Sequence, residues 1–240
     1  MKKTYCLFIC ILVLFSCKED ISIIFSEKNI ESSAGAEISV NYPKATSTNE
    51  GSELINSTLE NYIANQLNLG DELSKNTKIE DALKQFNNEF ISFKEEFPEV
   101  SHKWEAFIDG EITYQSPELI CIAVNSYLDT GGAHGNTHIK FLNFDAQTGK
   151  LLSKEDLILN TDELSKVVEK KLKTEIKANA DDQSMEDVFF GKDFQLPESI
   201  GYSDEGLIIL YNTYEIASYA QGIIEFTIPF EEISSFITVN

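Results

Sequence analysis

The twelve residues from Tyr127 to His138 gather the side chains best suited to chemistry: Asp129, Gly131, Gly132, His134, Gly135, Asn136 and His138. Glycines permit positive φ and leave backbone N–H groups open, so such a loop can cradle an anion or let a partner approach closely. No Gly-Lys-Ser/Thr follows, so the spacing is not that of a phosphate loop. His134 and His138 are four apart, which suits a metal only on a helix, and no Glu stands between them. No metal and no cofactor are expected. His134 with Asp129 or Asp145 could act as the base and orienter of an enzyme. The alternative is a bulged hairpin whose histidines hydrogen-bond locally. Gly-x-Ser-x-Gly is absent, and Cys121 lies in the apolar run 118–124 with no basic neighbour, as a buried inert thiol would. Carboxylates are too numerous for spacing to pick out a glycosidase pair. Tyr127, Tyr211, Tyr214 and Tyr219 offer a contact surface, since Tyr is enriched at interface hot spots. Tyr211 also closes an apolar strand, which fits a core role equally.

Elements must hold these residues in place. Residues 36–42 alternate as a strand stopped by Pro43, and Ile55, Leu59, Ile63 and Leu67 form a helical stripe ended by Gly70. Ile79, Leu83, Phe86, Phe90, Phe93 and Phe97 form a second stripe closed by Pro98, whose aromatics read as core packing. Residues 104–114 and 118–128 read as paired strands. The second is apolar on both parities and should be central and covered on both faces. A strand over 137–145 and a turn at 147–149 follow. Asn160 then caps a helix with Glu163 three residues on, its stripe being Leu164, Val168, Leu172 and Ile176 and its polar face lysine-rich. The acidic stretch 179–187 lacks the spacing of a calcium loop. Strands at 207–211 and 224–230 and a short helix at 231–236 complete an α+β chain, a mainly antiparallel sheet packed with amphipathic helices.

The chain has 240 residues and a formal charge of −21, with 19 bases that are all Lys and no Arg. Nucleic-acid binding is thereby disfavoured, and no bidentate guanidinium clamp exists. With 42% apolar residues the chain can fold, and its mean hydropathy of −0.18 excludes a polytopic membrane protein. Met1-Lys2-Lys3 followed by the ten-residue apolar run 6–15 reads as an export signal, too short for the ~20 residues of a spanning helix. Leu14-Phe15-Ser16-Cys17 resembles a bacterial lipobox, which implies cleavage before Cys17, acylation of its thiol and stable membrane anchoring. An ordinary cleaved signal or a short anchor is the alternative. Lys18-Glu19-Asp20 resembles the surface-export tag of some outer-membrane lipoproteins. Removing the signal leaves 17 Lys against 40 acids, about −23, outside the cytoplasm.

Tyr127 through Asn136 carry a resemblance together with Asn143-Phe144-Asp145, Thr148-Gly149-Lys150, Asp156-Leu157, Tyr214 to Ala217, Tyr219, Gly222 and Ile228-Pro229. In these residues the chain resembles the RsiV-type extracellular domain family, found in a lysozyme-binding anti-sigma factor, before the catalytic module of PdaC peptidoglycan deacetylases, and alone in lipoproteins. The resemblance spans about residues 36–238 as two intimately associated modules. It implies a signal over 1–17, a tether over 18–35, an N-terminal α+β module over 36–130 and a C-terminal RsiV-like module over 131–240. Sigma-factor release is not implied, because the cytoplasmic segment and spanning helix are replaced by a lipobox signal. Deacetylation is not implied either, because these residues hold no deacetylase module.

The expected protein is an exported, lipid-anchored binding protein of the cell envelope, held at the outer membrane and exposed at the surface. Its partner would be a basic protein such as lysozyme, or peptidoglycan fragments, bound as inhibitor or sensor. The rival is the polysaccharide-acting enzyme built on His134. A structural lipoprotein without a soluble ligand is a third reading.

Overall fold

The computed structural model describes residues 23–33, 35–70, 72, 73, 75, 77–179 and 188–239. The lipobox and Cys17 therefore lie outside the described residues, as does the acidic stretch from 180 to 187.

Long apolar-alternating segments dictate one large sheet. It runs in the order β1 (Phe25–Ser32), β2 (Glu37–Ala45), β3 (Glu105–Gln115), β4 (Leu119–Asp129), β5 (Asn136–Asp145) and β6 (Leu151–Leu152). All neighbours are antiparallel except β2 and β3. A parallel pair needs a long crossover, and here it is supplied by α1 (Glu50–Gln66) and α2 (Ile79–Glu96). Two expectations are corrected at the start of the sheet. Residues 25–32 of the anticipated tether form β1, paired with β2 along its length. β2 also runs through Pro43, because its pairing with β3 has ended at Asn41 and the missing N–H interrupts no bond there.

The two helices cover one face of this sheet. Asn49 caps α1 by accepting from the Ser52 N–H at 2.8 Å, and Ile55, Leu59, Ile63 and Leu67 are buried as their spacing requires. From α2, the rings of Phe86, Phe90 and Phe93 pack at tilted angles around Trp104, with centroids 5.6, 5.7 and 5.3 Å away. From the sheet, Ile38, Val40, Ile108, Ile120, Ile122 and Val124 join this core.

The opposite face meets a second, three-stranded antiparallel sheet, β7 (Ile200–Ser203), β8 (Gly206–Tyr211) and β9 (Ile224–Ile228). Helix α4 (Thr161–Asn179), following the short α3 (Lys154–Leu157), packs its stripe Leu164, Val168, Leu172 and Ile176 into the same core. Its start is as expected, the Glu163 N–H donating to Asn160 Oδ1 at 3.2 Å. The terminal helix is shorter than expected, Phe230–Ile233. β7 is locked onto the large sheet: Asn143 Nδ2 donates to the Ile200 carbonyl at 2.9 Å and the Tyr202 N–H to Cys121 Sγ at 3.3 Å. Gly201 lets the Phe141 ring approach, since a Cβ there would stand 2.4 Å from its nearest carbon. β4 is thus covered on both faces, with Ile120, Ile122 and Val124 in one core and Leu119 and Cys121 in the other. The position expected to divide two modules, 130/131, falls in the turn between β4 and β5, paired neighbours of one continuous sheet.

Candidate functional site

The second sheet covers only part of its face of the large sheet. At the other end, where β3 begins, β4 ends and β5 begins, that face is open among the described residues, and strand register gives its composition. One cross-strand row reads Glu31, Ser39, Phe107, Tyr127, Thr137. The row before it reads Glu37, Glu105, Asp129, and the row after it Asn29, Asn41, Asp109, Asn125 and then Ile139, which packs against the second core. Residues of one parity project to one face, so aromatic rings here lie among carboxylates and amides.

Phe107 and Tyr127 are cross-strand partners whose rings stand 6.0 Å apart and within 11° of parallel. Phe107 is exposed at 37% and forms one wall of a concavity of about 460 Å³ that also involves Glu31, Ser33, Glu37 and Ser39. Partial burial holds the Tyr127 hydroxyl above its ordinary pKa, with Asp129, Glu105 and Tyr219 adding to the shift, as expected of a phenol beside carboxylates.

The glycine loop continues this aromatic band. Asp129 Oδ1 accepts from the Gly131 N–H at 2.9 Å and pairs with His102 Nε2 at 3.1 Å, closing the turn in which Gly131 takes a φ of +86°. Gly135 does not need positive φ; it needs to lack a side chain, because a Cβ would stand 2.3 Å from the Tyr127 hydroxyl. Its carbonyl accepts from the Tyr219 hydroxyl at 3.1 Å and lies 2.9 Å from His134 Nδ1. The His134 ring stacks on Tyr219 at 3.7 Å and 18°, and Tyr214 follows at 6.0 Å. Tyr214 is 57% exposed, held in a tight turn at a φ of +66° by its N–H bond to the Ala217 carbonyl. Asn136 opens β5 and meets Thr213 Oγ1 at 3.5 Å.

Tyr127, His134, Gly135, Tyr214 and Tyr219 therefore come together, while Gly131, Gly132 and Asn136 shape the loop beside them. Tyr211 does not join them. It is 1% exposed in the second core, its hydroxyl donating to the Gln195 carbonyl at 2.8 Å, so the core role is the one observed. The acid–base constellation is not assembled either. His134 has no carboxylate among its described partners, and the carboxylate of Asp129 is turned to His102. Asp145 lies at the far end of β5, about 30 Å along the strand. There it accepts from the Gln147 and Thr148 N–H groups and the Thr148 hydroxyl. Burial pushes its carboxyl up, but these bonds hold it below the usual carboxylate range, which marks a turn residue. Cys121 is buried and its thiol is pushed up to about 11 by desolvation, far from a thiolate nucleophile. No cluster of three metal-ligating side chains occurs among the described residues, and none of their helices is long and apolar enough to cross a membrane.

Residues 30–137 match the family model described as Deacetylase PdaC, and residues 155–231 match that described as a protein of unknown function, DUF3298. A relative in Bacillus subtilis (strain 168), peptidoglycan-N-acetylmuramic acid deacetylase PdaC, is 26% identical over 159 residues. The alignment takes in 60% of this chain and 33% of that protein, so the chain spans about a third of its relative's length. A crystal structure of a DUF3298 family member from Bacteroides fragilis NCTC 9343 superposes with a TM-score of 0.65 at 18% identity, covering 91% of this chain and 95% of the other. One from Pseudomonas aeruginosa PAO1 gives 0.58 at 20% identity, covering 90% and 93%. These structures share the α+β fold. The matches bear out the PdaC side of the expected resemblance and its pairing with a second domain.

Proposed function

We propose that this is an exported, lipid-anchored recognition protein of the cell envelope that binds cell-wall glycan on the open face of its large sheet. One observation carries the reading: Phe107 and Tyr127 present near-parallel rings on an uncovered face, among Ser, Thr, Asn and carboxylate side chains. Sugar rings offer apolar C–H faces and hydroxyl edges, so flat rings flanked by hydrogen-bonding groups match both. The relationship to a peptidoglycan deacetylase supports a cell-wall setting. Anchoring would be through acylated Cys17, for which palmitate label lost in Cys17→Ser is the test; label that persists would overturn it.

Sedimentation with purified insoluble peptidoglycan tests the binding. The protein should pellet with it, and a Phe107→Ser, Tyr127→Ser double variant should stay in the supernatant. Equal pelleting by both would refute the role of this face.

A second reading is favoured by net charge. A domain at about −23 without Arg attracts a basic protein such as lysozyme. Calorimetry against lysozyme at low and moderate salt addresses it, and no heat at micromolar concentrations would remove it. The enzyme reading on His134 finds no carboxylate partner among the described residues, and a muropeptide-turnover assay of wild type and His134→Ala decides it.

A further inference from the structure

The open face carries charge in a pattern that a neutral glycan does not call for. Glu37, Glu105 and Asp129 stand side by side on β2, β3 and β4, in the row adjoining Phe107 and Tyr127, and Asp109 stands in the row beyond the rings. Rows on one face lie about 6.5–7 Å apart along the strand and neighbouring strands about 4.8 Å apart. A ring seated on Phe107 therefore has carboxylates on both sides, Glu105 and Asp109, and one seated on Tyr127 has Asp129 on one side and Asn125 on the other. No lysine stands in these rows. Asp129 is shared by His102 and the Gly131 N–H, and Asp109 accepts from Asn41 Nδ2 at 3.0 Å. Among the described residues Glu37 and Glu105 have no cationic partner, and Lys103, just before β3, reaches the Ser33 carbonyl instead. Seating a neutral sugar over the rings would strip water from these carboxylates without supplying a countercharge, whereas an ammonium group would supply it.

We infer that this face selects glycan whose amino sugars carry free amines, the N-acetyl groups having been removed. The inference rests on the glycan reading above and adds the chemical form of the ligand. The reaction class that supplies such a ligand is amide hydrolysis: water adds to the acetyl carbonyl, the C–N bond breaks, acetate leaves with the water oxygen, and the nitrogen keeps the electron pair and takes a proton. The amine is then cationic at mildly acid pH and complements the carboxylate row through space and by charge-assisted hydrogen bonds.

Titration calorimetry of the full chain with a β-1,4-linked glucosamine hexamer and with its fully N-acetylated counterpart, at pH 6 and low salt, separates the possibilities. The free-amine hexamer should bind at least about tenfold more tightly, which is about 1.4 kcal/mol. The preference should shrink in a Glu37→Gln, Glu105→Gln variant and when the pH is raised until the amines are neutral. Equal affinity for the two hexamers would overturn the inference and leave the glycan reading standing. Binding of neither hexamer, together with no pelleting on insoluble peptidoglycan, would overturn both. Polylysine bound as tightly as the free-amine hexamer, or an unchanged affinity in Phe107→Ser, would show charge attraction without sugar recognition and also overturn it.

Discussion

Gly135→Ala isolates the aromatic band from the rest of the molecule. The added Cβ would lie 2.3 Å from the Tyr127 hydroxyl oxygen, 2.4 Å from Cζ and 2.5 Å from Cε2. Ordinary contact needs roughly 3.5–4.0 Å, so the Tyr127 ring must retreat by more than about 1 Å. Overpacking of this kind costs about 1–3 kcal/mol in a closed core. Tyr127 is only half-buried on an open face and its ring can pivot, so the loss of stability should lie near the low end, about 1 kcal/mol. Pivoting removes the near-parallel alignment with Phe107 at 6.0 Å. An aromatic contact is worth about 0.5–1.5 kcal/mol, so glycan binding should weaken about two- to tenfold. Gly132→Ala is the matched control, because the nearest atom to its Cβ is the His134 carbonyl oxygen at 3.9 Å and its φ is not positive. Urea unfolding and pelleting on insoluble peptidoglycan should be measured for both. Indistinguishable binding by Gly135→Ala, Gly132→Ala and wild type would refute the platform.

Other perturbations test the scaffold. Gly201→Ala places a Cβ 2.4–2.7 Å from the Phe141 ring inside the sheet–sheet core, and the urea midpoint should fall by the equivalent of about 1–3 kcal/mol with little change in slope. His138 is held below its ordinary pKa chiefly by burial, with Lys140 acting in the same direction against Glu198 and Glu215. The unfolded state therefore binds its proton more readily, so this contribution is complete above about pH 6.5 and is lost as pH falls through the lower folded value. Midpoints measured across that range should show a slope that flattens in His138→Gln. Cys121, its thiol pushed up to about 11 and buried, should resist iodoacetamide at pH 8 in the native protein and react in urea; fast native labelling would contradict the packing.

How much of this was legible in the residues depended on whether a pattern was local. The stripes of α1, α2 and α4, the cap at Asn160 and the doubly covered β4 follow from periodicity, because one helix or strand carries the whole signal. The His134–Tyr219 stack brings together residues 85 positions apart, and spacing contains no distance between them. Composition still pointed to both, since an exposed glycine loop and a tyrosine-rich turn have few structural reasons to exist. Phe107, Glu37 and Glu105 were missed. The available signal was parity along β3, where Ala106 and Ile108 are buried and Phe107 and Asp109 point the other way, but which face is open depends on where the second sheet stops. Tyr211 and Asp145 were over-read for the converse reason: each is a polar group already engaged locally, by the Gln195 carbonyl or by its own turn.

The open face is a consequence of mismatched lengths. β3, β4 and β5 have 11, 11 and 10 residues, about 33–37 Å of strand, whereas β7, β8 and β9 have 4, 6 and 5. Helices α1 and α2, with 17 and 18 residues, reach about 26 and 27 Å along the long sheet, whereas the short strands reach only about 13–20 Å. Apolar residues on its second face accordingly stop where cover stops: Leu119, Cys121 and Phe141 lie under the second sheet, and Asn125, Tyr127 and Asp129 lie beyond it. Core residues at these last positions would have required longer β7–β9 strands. The sequence instead places rings and carboxylates there, a combination that burial would penalise and that an aqueous, cationic ligand would reward.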